Sequence, residues 1–134
     1  MEMALQKQEQ ILCKALHTDL GKSKTEMMCE IGLVQGEIRW MKQHLGRLCR
    51  QKHVRTPLAQ FAAKSYQSPS PYGNVLIMSP WNYPVLLTLE PLVDAIAAGN
   101  TAVVKPSAYA PASANVLKDL LEEWILKTAY AGRT

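Results

Sequence analysis

Two short apolar runs, each followed by a helical pattern, constrain the fold of this chain most strongly. "NVLIM" (74–78) and "NTAVVK" (100–105) have strand length and are largely apolar, a pattern typical of strands covered on both faces. "PVLLTLEPLVDAIAAG" (84–99) and "SANVLKDLLEEWI" (113–125) predict helices. The order strand, helix, strand, helix predicts an α/β fold with part of a Rossmann-like parallel βαβα sheet. Such a unit is half of a doubly wound sheet.

Proline and glycine mark the course of the first of these helices. Pro84 fits a first turn, where the missing amide proton is not needed. Pro91 predicts a kink or a break, and Gly99 fits the C-terminal cap. The helix is therefore expected to lie wholly between the two strands.

The first 55 residues predict two helices that dock on a larger body. The first helix, about residues 3–20, has a leucine-rich face and a natural stop at Gly21. Ser23 and Glu26 have the spacing of a capping box at the start of the second helix. Glycines weaken a free-standing coiled coil here, so docking is the favoured interpretation. The second helix carries an apolar stripe formed by Met27, Ile31, Val34, Ile38, Met41, Leu45 and Leu48.

Residues 56–72 differ from the helical segment before them. The sequence "TPLAQFAAKSYQSPSPYG" (56–73), whose last residue begins the next segment, is rich in proline and alternates apolar with small or polar residues, which predicts an extended arm. We therefore divide the chain into an N-terminal helical segment (1–55), the arm (56–72) and a partial α/β domain (73–134).

Composition places the chain among folded proteins. Its 134 residues are 48% hydrophobic, enough for a core. Because "MEMALQKQEQ" is no signal peptide and every long apolar stretch is interrupted, we expect a cytoplasmic protein with no membrane span. The spacing of Cys13, Cys29 and Cys49 fits neither a disulfide set nor a metal site. All three are expected to be reduced, partly buried helix residues.

The net charge of +4 is unevenly placed, since residues 1–55 hold ten Lys and Arg against six Asp and Glu. Between Arg39 and Arg55 there are six basic residues and no acidic one. A nucleic-acid-binding patch has this composition, and so has the basic C-terminal end of a long helix. Without a nucleic-acid-reader motif we favour the helix end and expect no nucleic-acid partner.

Polar residues follow both predicted strands at the end where ligands bind in open α/β sheets. The first strand runs into "SPWNYP" (79–84) and the second into "KPS" (105–107). No G-x-G-x-x-G and no phosphate-binding loop motif occurs in the chain. Asn82 is therefore either a cap for the helix that starts near Pro84 or a working part of a site.

"SPWNYP" together with "AAGNTAVVKPS" (97–107) resembles the aldehyde dehydrogenase superfamily. Upstream, "EIRWMKQHL", "VRTPLAQFAAKSY" and "PYGNVLIM" resemble its class 3, fatty-aldehyde-type branch. The resemblance runs from about residue 4 to about residue 125. It implies the N-terminal portion of an oxidoreductase that converts an aldehyde to a carboxylic acid with NAD or NADP, through a cysteine thiohemiacetal. It also implies a homodimer with the arm in its oligomerisation surface.

The resemblance implies roles for residues at both strand ends. Asn82 donates its amide to the thiohemiacetal oxygen, which agrees with the chemistry of a carboxamide, a donor without a charge of its own. Lys105 hydrogen-bonds the adenosine ribose. Ala108 occupies the position of a family glutamate that binds the ribose hydroxyls, so the choice between NAD and NADP stays open. The nucleotide cleft is expected to be lined by Met78, Ser79, Pro80, Trp81 and Ser107.

The catalytic cysteine and glutamate motifs of that family lie beyond Thr134, and we transfer the nucleophile to none of the three cysteines. The 134-residue chain by itself is therefore expected to be inactive. The alternative is a non-catalytic, truncated remnant or an interaction protein that binds through its helices. In that case Asn82 is a helix cap, Lys105 an ordinary strand-end lysine and Trp81 a wall aromatic.

Overall fold

The computed structural model describes the backbone of residues 1–131 and the side chains of residues 1–125. The α/β fold predicted from the sequence is confirmed, with two N-terminal helices followed by a parallel βαβα unit. In chain order the elements are α1 (Glu2–Leu20), α2 (Lys24–Leu48), β1 (Lys52–Val54), a 3₁₀ turn (Leu58–Gln60), β2 (Ser65–Gln67), β3 (Asn74–Met78), α3 (Leu86–Ala97), β4 (Thr101–Lys105) and α4 (Pro111–Ala131).

Strands β3 and β4 pair in parallel, as the two apolar runs predict. Asn74 lies opposite Thr101 at one end of the pair, and Met78 lies opposite Lys105 at the other. Helix α3 connects the two strands and packs on both. The carboxyl ends of the two strands therefore meet at one edge of the sheet.

Only one face of this sheet is covered by the described residues. Ile77 is buried and belongs to the core, with Ala102 and Val104 packed against it. On the opposite face Leu76 and Val103 are 62% and 63% exposed. The prediction that both faces are covered is wrong for this part of the chain. An apolar run indicates that a strand can be buried, but it does not specify which residues cover the strand.

Helices α1 and α2 dock on the α/β unit, as the apolar stripes predict. Helix α1 packs on α4, and α2 packs on α3. The stripe on α2 is buried only over its first half, since Leu45 and Leu48 are exposed. The shared core contains, from these two helices, Leu5, Leu12, Leu16, Met27, Ile31, Val34 and Ile38.

Local signals place most helix ends correctly. Gly21 adopts the left-handed conformation (φ 63°) and its amide donates to the carbonyl of His17 at 2.8 Å. Ser23 and Glu26 form the predicted capping box.

Gly99 (φ 83°) follows the end of α3. Helix α3 continues through Pro91, so no break occurs there. Helix α4 extends beyond its predicted end to Ala131, and residues 132–134 lie outside the described part.

The basic segment 39–55 differs from its prediction. Helix α2 ends at Leu48, and the three residues of β1 pair antiparallel with β2 of the arm. The interpretation of the whole segment as a helix end is wrong for its last residues, because backbone pairing with the arm replaces helical hydrogen bonds there. The arm itself is exposed, with Leu58 92% and Phe61 86% accessible. The prediction of an extended arm is wrong for residues 58–63, which form a 3₁₀ turn and further turns, and only Ser65–Gln67 is a strand.

Two further findings concern expected properties of the chain. Cys13 is half-buried, whereas Cys29 and Cys49 are exposed, so partial burial is wrong for the latter two. No cluster of metal-binding side chains occurs among the described residues. Within that same part, no helix is both long and apolar enough to cross a bilayer.

Candidate functional site at the carboxyl ends of β3 and β4

The structure brings three of the predicted site residues together at the sheet edge. Met78 and Lys105 are register partners at the ends of β3 and β4. The amide of Ser79 donates to the carbonyl of Lys105 at 3.2 Å and so extends the pairing by one step. Because Met78 and Lys105 are both exposed, they lie on the uncovered face of the sheet.

Ser79 turns its side chain the other way. It is only 7% exposed, and its hydroxyl lies 2.6 Å from the hydroxyl of Thr88 on helix α3. Thr88 also lies 2.5 Å from the carbonyl oxygen of Pro84. The Ser79 side chain therefore fixes the start of the loop to α3, and only its backbone is near the exposed edge.

The loop that carries Asn82 is accessible. Trp81 is 52% exposed and Tyr83 47% exposed, and Asn82 between them is exposed as well. Within the described part of the chain, the Asn82 carboxamide makes no hydrogen bond. Helix α3 starts after Val85 without any side-chain cap from its own N-cap residue. The alternative that Asn82 caps this helix is therefore wrong.

The first amides of α3 are bound by a carboxylate from another helix. Oε1 of Glu30, on α2, accepts hydrogen bonds from the amides of Val85 at 2.8 Å and Leu86 at 3.1 Å. Glu30 is 1% exposed. Its other oxygen, Oε2, lies 2.5 Å from Nζ of Lys22, which is also 4.1 Å from the centre of the Tyr83 ring. A negative charge at a helix N-terminus is electrostatically favourable.

Sequence reasoning missed Glu30 and Lys22. A signal was present, because Glu30 lies on the side of α2 that carries Met27 and Val34, and so places a charge within the apolar stripe. Its partners are backbone amides, which leave no trace in the sequence. The arrangement could therefore be suspected from the pattern but not identified.

Helix α4 begins in the same way. The carboxylate of Asp19, near the end of α1, accepts hydrogen bonds from the amides of Ala112 at 3.1 Å and Ser113 at 2.7 Å. Each helix of the α/β unit thus has its N-terminus bound by a carboxylate from one of the two N-terminal helices. These contacts attach the N-terminal helical segment to the starts of α3 and α4, the helices that follow β3 and β4.

The loop after β4 is organised by its own residues. Ser107 is half-buried, its hydroxyl accepts the amide of Tyr109 at 3.2 Å, and its carbonyl accepts the amide of Ala110 at 3.3 Å. Lys105 is exposed and forms no ion pair with any described residue. Ala108 is exposed and supplies no carboxylate beside it.

No cysteine of the chain lies in either loop. Burial, followed by the nearby charge of Glu9, raises the pKa of the Cys13 thiol, which disfavours the thiolate that a nucleophile requires. Cys29 lies on α2, and Cys49 at its end. An apolar cavity of about 450 Å³ lies at the opposite, C-terminal end of α3, lined by Ile38, Met41, Leu45, Val93, Ile96 and Trp124.

Comparison with known proteins identifies the class of this fold. The model of the aldehyde dehydrogenase family matches residues 1–128. The chain belongs to the aldehyde dehydrogenase family, and the resemblance drawn from "SPWNYP" and "KPS" is confirmed.

Individual relatives agree with this assignment. The chain is 45% identical over 124 residues to 4,4'-diaponeurosporen-aldehyde dehydrogenase of Staphylococcus aureus, which covers 92% of the chain and 27% of that protein. It is 38% identical over 128 residues to mouse aldehyde dehydrogenase family 3 member A2, covering 95% and 26% respectively.

A solved structure shows the same relation. The structure described as the substrate-bound state of Staphylococcus aureus AldH superposes with a TM-score of 0.88 at 45% identity, over 91% of this chain and 27% of that one. The chain therefore spans about a quarter of the length of the relatives it matches.

Proposed function

We propose that this chain supplies the oxyanion donor and part of the cofactor cleft of an NAD(P)-dependent aldehyde dehydrogenase. The observation that carries the proposal is the accessibility of the Asn82 side chain. Its carboxamide is exposed and unbonded within the described chain, in the loop that begins where Met78 ends β3. Because Glu30 binds the first amides of α3, Asn82 is available to a ligand.

The proposed chemistry needs a donor at this place. When a cysteine thiolate attacks an aldehyde carbon, the C=O π bond opens and its electron pair moves to oxygen as the thiohemiacetal forms. An uncharged N–H donor that is already in position stabilises this oxygen without reorganisation of solvent. Asn82 would supply that donor. The thiolate, and the glutamate that activates water for hydrolysis of the thioester, come from outside residues 1–134.

The residues on the uncovered face of the sheet and at its carboxyl edge support the binding of a nicotinamide dinucleotide. Leu76 and Val103 offer an apolar surface for a flat ring system, and Lys105 offers an ammonium without an ion-pair partner among the described residues. When bound, the cofactor would supply the hydride acceptor for oxidation of the aldehyde carbon. Lys105 would hold the ribose, with Met78, Pro80, Trp81, Ser107 and the Ser79 backbone along the cleft. Ala108 lacks a carboxylate, so both NAD and NADP remain candidate cofactors.

The arm supports a proposed homodimer. Leu58, Phe61 and Tyr72 are 92%, 86% and 97% exposed, and β2 pairs only with β1 in the described part. Exposed apolar side chains beside an open strand edge favour association with another chain. Light scattering of the chain over a range of concentrations tests this assembly.

A chimeric enzyme tests the proposed activity. Residues 1–125 of this chain would replace the matching segment of 4,4'-diaponeurosporen-aldehyde dehydrogenase, and aldehyde-dependent reduction of NAD⁺ or NADP⁺ would be measured. Asn82→Ala is expected to lower kcat on the order of 10²–10³-fold, with cofactor affinity retained. Asn115→Ala, an exposed amide on α4, is the matched control and should change neither quantity. Equal loss of kcat and cofactor affinity in Asn82→Ala would contradict the oxyanion role.

A further inference from the structure

Glu30 is an unusual group to find at the start of α3. A carboxylate that is 1% exposed has lost its contact with water, and its burial is costly unless hydrogen bonds and an opposite charge replace that water. A serine, threonine or asparagine next to α3 could bind the same amides from the exposed surface. The chain instead brings a buried carboxylate from α2, 55 positions earlier in the sequence than Val85.

The polar groups bonded to Glu30 belong to the end of the Asn82 loop or contact that loop. Oε1 binds the amides of Val85 and Leu86, where the loop ends. Oε2 pairs with Lys22, whose ammonium lies over the ring of Tyr83, the residue next to Asn82. The end of the loop and a residue beside Asn82 are therefore held through one carboxylate.

Lys22 is itself held in place by the turn between α1 and α2. Gly21 adopts a left-handed conformation that ends α1, and the capping box of Ser23 and Glu26 starts α2 directly afterwards. The carbonyl of Lys22 lies 3.1 Å from Nδ1 of His17. The Lys22 side chain is 11% exposed, so its charge is directed inward to Glu30 and Tyr83.

The other end of the loop is fixed independently. The Ser79 amide donates to Lys105 on β4, and the Ser79 hydroxyl lies beside Thr88 on α3. Asn82 thus lies between two fixed ends, with its own carboxamide unbonded within the described chain. An oxyanion donor depends on being held in position before the reaction.

We propose that Glu30, paired with Lys22, is a positioning residue for the Asn82 loop in the aldehyde dehydrogenase reaction. The inference rests on the proposed function, because it assigns to Glu30 an effect on the step that Asn82 assists. Glu30 is buried, so it would act without touching substrate or cofactor, by holding Val85, Leu86 and, through Lys22, Tyr83.

Asp19 provides a matched control. It too is a carboxylate of an N-terminal helix that accepts two amides at a helix start. Its hydrogen bonds, however, go to the start of α4 and, among the described residues, not to the Asn82 loop. Both Glu30→Ala and Asp19→Ala should lower stability, the first by more, so kcat is compared under conditions in which both variants are shown to be folded. A loss of positioning should then lower kcat only in Glu30→Ala.

The experiment compares these variants in the chimeric enzyme. In Glu30→Ala we expect kcat to fall on the order of 10²-fold, since a displacement of about 1 Å in a reacting group has that effect. Glu30→Gln keeps an oxygen for Val85 and Leu86 and should retain most of kcat. Asp19→Ala should retain kcat at saturating cofactor. Hydrogen exchange should become faster at the start of α3 in Glu30→Ala and at the start of α4 in Asp19→Ala.

Three outcomes would overturn the inference. Equal reduction of kcat in Glu30→Ala and Asp19→Ala would show a stability effect alone. Unchanged kcat in Glu30→Ala, with faster exchange at the start of α3, would show that the loop does not need Glu30. Unchanged exchange at the start of α3 in Glu30→Ala would show that Glu30 does not hold the loop. An unsubstituted chimera without dehydrogenase activity would instead contradict the proposed function, while the exchange measurement would still decide whether Glu30 fixes the loop.

Discussion

The two loops that follow β3 and β4 begin alike and are held differently. Each leaves a strand at the same sheet edge and enters a helix whose first amides bind a carboxylate from the N-terminal helices. The loop with Asn82 is held in addition by the buried Lys22–Glu30 pair and by Ser79. The loop at 106–110 relies on its own turn at Ser107. Buried polar contacts thus hold both ends of the loop that carries the exposed Asn82, whereas the loop at 106–110 is held by its own turn and, at the start of α4, by Asp19.

Removal of the Glu30 carboxylate should produce the largest loss of stability. Glu30→Ala leaves the amides of Val85 and Leu86 without their acceptor and the ammonium of Lys22 without its partner. Loss of one member of a buried ion pair costs about 3–5 kcal/mol of unfolding free energy. Urea denaturation of the chimera and of the variant measures the difference. If Glu30→Ala lost less unfolding free energy than Asp19→Ala, the claim that the Asn82 loop is held more strongly than the 106–110 loop would be contradicted.

Removal of the Asp19 carboxylate should lower the free energy of unfolding by less than removal of the Glu30 carboxylate. The difference between the two variants sharpens the comparison of the two loops. Asp19 is half-buried and has no ion pair within the described residues. Its loss resembles the loss of a helix cap, about 1–2 kcal/mol. The measurement is again urea denaturation, with Asp119→Ala on the exposed side of α4 as a control that should change little.

A second carboxylate of α2, that of Glu37, can be compared with Glu30 because both interact with α3. Glu37 lies two turns after Glu30 and faces Asp94 and Glu90 of α3 instead of backbone amides. Burial, followed by these two charges, raises the pKa of Glu37 above its ordinary value. The folded chain therefore binds a proton more readily than the unfolded chain, and stability is lost as the pH rises through the folded pKa.

The Glu37→Gln substitution tests that sign. It should increase the free energy of unfolding at pH 7, because the charged form that the fold disfavours is removed. Below about pH 4, where an unfolded glutamate is also protonated, the difference between variant and parent should disappear. Denaturation at both pH values measures this effect, which should be the smallest of the three. A variant less stable than its parent at pH 7 would show that the Glu37 charge is favourable.

Local patterns predicted much of this fold. Gly21, the Ser23–Glu26 pair and the two apolar runs each act through neighbours in the sequence, so their spacing is informative. The resemblance added Asn82 and Lys105 as candidates because "SPWNYP" and "KPS" are distinctive. Both strand ends do meet at one edge.

Other contacts could not be predicted, because the interacting residues are far apart in the sequence or because one partner is a backbone group, which every residue has. The contact of Glu30 with Val85 joins a side chain to a backbone amide 55 positions away. Strand β1 has only three residues and depends on pairing with the arm. The exposure of Leu76 depends on what lies over the sheet, which an apolar run does not specify.

The central claim is that Asn82 is an oxyanion donor held in position from α2. A crystal structure of the chimeric enzyme with cofactor and a trapped thiohemiacetal tests it most directly. We expect Nδ2 of Asn82 at about 2.7–3.1 Å from the thiohemiacetal oxygen, with Glu30 still bound to Val85 and Leu86. A carboxamide turned away from that oxygen and bonded to protein groups would contradict the account.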